Sequence, residues 1–177
     1  MKRVEWFINV FYYSIYRLDY NLHLIFNKVD PTLLLLKTPY IKKQSKRQNI
    51  KDPVAHLNKI FENPAYGISQ TRAFGLVGLH LIVLITSLVM LAITIFDIGH
   101  NLVNTEAMIC ISLLAAFILY ITTLKKKKYL EYFRKFNKNS KSEKRKHSFL
   151  AIIMSVSVFI FAYIAVCYYG SYERFEL

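Results

Sequence analysis

FGLVGLHLIVLITSLVMLAITIF, residues 74 to 96, holds a single ionisable side chain, His80. At about 1.5 Å per helical residue the stretch measures about 34 Å, enough to cross a hydrocarbon core about 30 Å thick with some tilt. Its many β-branched residues would favour a strand in water. In lipid, however, an isolated strand leaves its backbone N–H and C=O groups unpaired, whereas a helix pairs them internally. The segment therefore predicts a transmembrane helix, and with it an all-α membrane protein.

Two further segments have the same character: AMICISLLAAFILYITTL at 107–124 and SFLAIIMSVSVFIFAYIAVCYY at 148–169. The whole chain of 177 residues is 54% hydrophobic with a formal charge of +13 and mean hydropathy +0.27, a combination foreign to ordinary soluble basic domains. Its cations are confined to blocks. No Lys or Arg lies between Arg72 and Lys125, and no charged residue between Ser148 and Tyr172. The connection DIGHNLVNTE, 97–106, is short enough to make the first two spans an antiparallel hairpin. In it Gly99 is a stop signal, and Asn104 or Thr105 a cap for the next helix. Twelve Lys or Arg precede the first span, none lies in 97–106, and eleven lie in 125–147. By the positive-inside bias this puts the N-terminus and the basic loop in the cytosol, and the turn and the C-terminal tail outside a cell (inner) membrane. Residues 1–73 then form a cytosolic and interfacial region, and 74–177 a three-span region.

The N-terminal stretch VEWFINVFYYSIYRLDYNLHLIF reads as amphipathic. Val4, Phe7, Phe11, Ile15, Leu18, Leu22 and Ile25 recur near helical spacing, and Glu5, Asn9, Tyr12, Tyr16, Asp19 and His23 gather opposite. Arg17 and Asp19 would each cost about 2.5–3.5 kcal/mol at a bilayer centre, so the helix is expected to lie on the membrane rather than cross it. Trp6, Phe7 and Phe11 are then membrane-interface residues. Beyond it, Asp30 and Pro31 suit the start of a short helix that Pro39 ends. KKQSKRQNIK, 42–51, reads as a solvated linker, and DPVAHLNKIFENP as a short helix framed by Pro53 and Pro64.

KKKKYLEYFRKFNKNSKSEKRKH, 125–147, carries eleven Lys or Arg against two Glu. Tyr129, Tyr132, Phe133 and Phe136 fall on one helical face, with Arg134 and Lys135 away from it. Aromatics interleaved with cations occur in single-stranded nucleic-acid sites. Between two spans the same pattern is a helix resting among headgroups, with Lys125, Lys126, Lys127 and Lys128 touching anionic lipid. The second reading is preferred, and no nucleic-acid partner is expected. NKNSKSEKRKH is read as polar linker ending in a basic stop.

His80 is a candidate intramembrane polar site, since ionisable groups within spans face protein or line pathways; packing with one hydrogen bond is the plainer use. Cys110 and Cys167 lie toward the outer ends of their spans, a placement compatible with a disulfide but also with small apolar packing. Asp97, His100 and Glu106 share the outer turn at no recognised ligand spacing. Gly75 and Gly78 offer close helix approach. Neither a metalloprotease helix, a phosphate loop nor a nucleophile elbow occurs, so no catalytic residue, cofactor or metal is assigned. FYYSIYRLDY, the passage into LKKKKYLEYFRKF and the span after KRKHSFL resemble small uncharacterised multi-span bacterial membrane proteins in layout, which implies neither mechanism nor site residues. The expectation is a non-enzymatic protein acting by protein–protein contact in the bilayer, as an accessory subunit or immunity-type factor, with a protein partner or as a homo-oligomer. The alternative is a component of an oligomeric transporter or channel, with His80, Thr86, Ser87, Thr94, Ser112, Ser155 and Ser157 along a path. A lipid-directed enzyme would have only Asp19, His23 and His56 to draw on.

Overall fold

A computed structural model describes residues 2–27, 35–36, 38–97 and 103–173, all helix and turn without a strand. The first helix, α1, runs Lys2–Phe26; α2 is Pro39–Arg47 and α3 Pro53–Glu62. The spans follow as α4 (Ile68–Phe96), α5 (Thr105–Leu119) and α7 (Lys141–Glu173), with α6 (Lys128–Asn137) between the second and the third. Among the described residues, three helical stretches, Ile68–Phe96, Thr105–Asn137 and Lys141–Ser171, are long and apolar enough to cross a membrane, in agreement with the sequence reading.

Several helix starts have a local cause. Asp52 accepts hydrogen bonds from Val54 N (2.9 Å) and Ala55 N (3.2 Å) and so caps α3, with Pro53 beside it at the first helical position. Asn63 then accepts from Ala65 N (2.8 Å) and Tyr66 N (3.3 Å), forming the tight turn into α4. Gly67 is required there, because a Cβ would lie 2.2 Å from the Asn63 carbonyl oxygen. At the far end of α4 the stop is Asp97, in the left-handed region at φ 52°; Gly99 and His100 lie outside the described residues. Asn104 caps α5 through Ala107 N at 2.9 Å, one of the two caps expected.

Three sequence expectations change, and a fourth falls on residues outside the described ones. The first span begins at Ile68 rather than residue 74, since Gly67 is its true start signal. Residues 42–51 are not a loose linker: Pro39 opens α2, which ends in a Schellman turn, with Ile50 N bonded to Ser45 O (2.8 Å), Asn49 N to Lys46 O (3.1 Å) and Asn49 at φ 58°. The helix expected from Asp30 lies mostly outside the described residues. NKNSKSEKRKH is helical from Lys141, because Ser140 and Glu143 form a reciprocal capping box: Ser140 N donates to Glu143 Oε2 (2.9 Å) and Glu143 N to Ser140 Oγ (3.2 Å). These bonds hold the Glu143 carboxyl below its usual pKa.

The packing is centred on α4. It lies against α7 most extensively, against α1 next and against α5 less, while α5 and α7 scarcely touch. On α5 only the stripe Ile111, Ala115 and Leu119 is buried, whereas Ile109, Leu113 and Phe117 are exposed. The α4–α5 approach does not depend on either glycine expected to permit it: a Cβ at Gly78 would meet Leu119 Cδ1 at 3.4 Å, near ordinary contact, and Gly75 faces open space. The buried core lies at the basic end of the spans, where α1 packs against α4, α6 and α7.

Candidate functional site

The second span does not run straight into α6. After α5 the chain makes a π-helical turn, Tyr120–Leu124, and then a 3-10 turn, Lys125–Lys127, in which Lys126 and Lys127 take φ values of 60° and 54°. Left-handed backbone costs non-glycine residues on the order of 1 kcal/mol or more each. What offsets it is the contact that the kink makes possible, α6 laid against α1.

That contact is an aromatic cluster centred on Phe133. Its ring lies 5.1 Å from Tyr12, 5.3 Å from Tyr13 and 4.9 Å from Tyr16, the last pair stacked. Phe136 adds a contact to Tyr13 at 5.4 Å, and Tyr129 one to Tyr12 at 5.9 Å. Rings at these separations and tilts are favourable beyond the area they bury. Each of the four tyrosine hydroxyls carried inside has a partner. Gln70 Nε2 donates to Tyr12 Oη at 2.6 Å, Tyr13 Oη donates to Asn137 Oδ1 at 2.7 Å, Tyr16 Oη donates to the Glu62 carbonyl, and Tyr129 Oη to that of Ala65 at 3.3 Å. Burial pushes the Tyr12 and Tyr13 hydroxyls above the usual phenol range and Tyr16 up to about 12. All three therefore stay neutral donors through the ordinary pH range.

At the kink, Lys128 Nζ lies 2.6 Å from Glu5 Oε2, and Tyr132 Oη donates to Glu5 Oε1 at 3.4 Å. Asn9 Nδ2 donates to the Thr122 carbonyl at 3.0 Å, inside the π turn. Further along α1, Arg17 is 3.9 Å from Glu62, Asp19 is 3.7 Å from Arg72, and His23 stacks on Phe61 at 3.5 Å.

The aromatic stripe of α6 therefore needs correction. Tyr129, Phe133 and Phe136 are not free to rest among headgroups but are buried against α1, and Tyr132 is half-buried. The cause is that the face of α1 opposite its apolar stripe is itself aromatic, and ring-on-ring packing covers both helices at once. On α1, Val4, Trp6, Phe7, Leu18, Leu22 and Ile25 remain exposed, while Phe11 turns inward against His80 at 5.1 Å. Lys125, Lys126 and Lys127 are exposed; Lys128 is occupied by Glu5.

His80 is buried between α4, α7 and α1. Its Nδ1 is 2.8 Å from the Leu76 carbonyl and its Nε2 2.7 Å from Ser155 Oγ, with the Phe159 ring 5.3 Å away. A neutral imidazole protonated on Nδ1 satisfies both bonds, with Ser155 donating to Nε2. His80 thereby ties the first span to the third. It also borders an apolar cavity of about 190 Å³ with Phe7, Phe11, Leu84 and Met154. Cys110 and Cys167 are exposed free thiols. Among the described residues, no group of three His, Cys, Asp or Glu side chains is gathered as a metal would need.

Family models, curated proteins and solved structures offer no match to this chain.

Replacing Phe133 with Ala removes the ring that all three tyrosines touch and is expected to cost roughly 3–5 kcal/mol. The measurement is limited proteolysis in mild detergent, where the variant should be cut within α1 while the spans stay intact. Alkaline pH should act on the same contact. Because the folded-state Tyr16 pKa lies above the unfolded value of 10.0, stability is fully present below pH 10 and is lost as pH rises through about 12. Phenolate absorbance at alkaline pH should show the buried tyrosines ionising together with release of α1, and Tyr16→Phe should shift that release upward.

Proposed function

We propose that the chain is a small, non-enzymatic, multi-pass protein of the cell (inner) membrane that works through protein–protein contact, as an accessory subunit or an immunity-type factor. Its N-terminus, α1–α3 and α6 lie in the cytosol or at its interface, and its C-terminus lies outside. The observation that carries this reading is the single-file packing of the spans. The second span is buried along one stripe only, Ile111, Ala115 and Leu119, and scarcely meets the third. In lipid such a row gains further van der Waals contact by packing with another helix. A rigid cytosolic assembly of α1 on α6 accompanies it, and a partner would meet both.

The hydroxyls within the spans favour this reading over a conduit. Ser87, Thr94 and Ser112 each donate to the carbonyl four residues back in their own helix, at 2.7, 3.0 and 2.8 Å, and Ser155 Oγ is hydrogen-bonded to His80 Nε2. Side chains bonded in this way have their hydroxyls engaged in holding the helices, within one span or between two.

The orientation is tested with Lys126→Cys in a Cys110→Ser, Cys167→Ser background. A membrane-impermeant maleimide should leave intact cells unlabelled at this position and label it after permeabilisation; labelling of intact cells would reverse the topology. The interaction reading is tested by purification in mild detergent from the native membrane. A stoichiometric membrane-protein partner or a stable homo-oligomer is expected, and Leu113→Trp with Phe117→Ala on the uncovered face of α5 should weaken it at least about tenfold. A monomer with no bound protein would count against the proposal.

A further inference from the structure

We propose that the cleft between α2 and the start of α3 binds a multiply charged phosphate group. The cleft has a volume of about 600 Å³ and is lined by Lys42, Lys46 and Lys51 over an apolar floor that includes Leu36 and Val54. Helical spacing puts Lys42 and Lys46 one turn apart on the same face of α2. Lys51 joins them because the Schellman turn at Gln48, Asn49 and Ile50 folds the chain back after α2 ends. No acidic residue lies in α2. The carboxylate at the cleft, Asp52, directs Oδ1 at Val54 N and Ala55 N, and among the described residues none of the three ammonium groups has an ion-pair partner. Three ammonium groups against the single Asp52 carboxylate leave the hollow with a net charge of about +2, which calls for an anion of more than one charge, and lysine recognises phosphate in this manner. A compact anion suits a set of cations closed around one hollow better than an extended polyanion does. The group is supplied either by a phosphorylated lipid headgroup or by a soluble phosphate.

The site is separate in sequence from the tetralysine kink, and α2 makes few contacts with the other helices, so it can be altered without disturbing the core. The test uses the full chain in phosphatidylcholine nanodiscs at about 0.15 M salt, titrated with inorganic pyrophosphate by calorimetry. Lys42→Gln, Lys46→Gln and Lys51→Gln together should weaken binding at least about tenfold, whereas Lys125→Gln, Lys126→Gln and Lys127→Gln, which remove the same charge, should change it by less than about twofold. Asn49→Val keeps every charge but places a β-branched residue at φ 58°. It should weaken binding several-fold, and Asn49→Gly should preserve it. Equal losses from the two triple variants, unchanged binding in Asn49→Val, or no binding of pyrophosphate by the unaltered protein would each overturn the proposal. Repeating the titration in nanodiscs containing phosphatidic acid separates the two sources: competition assigns the lipid headgroup, and unchanged affinity assigns a soluble phosphate.

Discussion

The packing of three α1 tyrosines around Phe133 is the contact on which the rest of the basic end depends. Without it α6 would have no reason to adopt two consecutive left-handed lysines, and α1 would expose an aromatic face to water. With it, a helix from the start of the chain and one from beyond residue 127 are joined, and the ends of all three spans are gathered around them. The long sequence separation makes the joint entropically costly to close, so it must bury large surfaces to persist. Aromatic rings supply such area with few rotatable bonds.

Carrying tyrosines rather than phenylalanines into this core has a further consequence. Each hydroxyl must find a partner, and the partners come from different elements: Gln70 from α4, Asn137 from the end of α6, Glu62 from the end of α3. The polar groups thus fix which helices meet and in what register, while the rings provide most of the attraction. His80 plays the corresponding part deeper in the spans, where its two nitrogens join Leu76 and Ser155. Both devices rigidify the membrane-facing body and leave the basic arm of α2 and one side of α5 uncovered.

Much of the architecture was legible in the sequence because its signals are local. Apolar length identifies a span whatever surrounds it, and Pro53 behind Asp52 marks a helix start. Other helix starts carry local signals of the same kind, Gly67 before α4 and Ser140 with Glu143 before α7, while Pro39, which reads equally well as the end of one helix, heads α2. The burial of Tyr129, Phe133 and Phe136 was a different case. Helical spacing identified their common face, but a stripe of rings reads the same whether lipid or another helix covers it.

Residue order alone therefore determined the helical class, the three long apolar helices and the alternation of apolar and basic blocks, because each follows from composition within one segment. Which surface each helix buries was decided only in the tertiary structure. There the tyrosine face of α1 met the ring face of α6, Lys128 met Glu5, and His80 met Ser155. These pairs are separated by 75 to more than 120 residues. Nothing in either member's neighbourhood specifies the other, since the partner is selected by shape, hydrogen bonding and charge once the chain has folded back on itself.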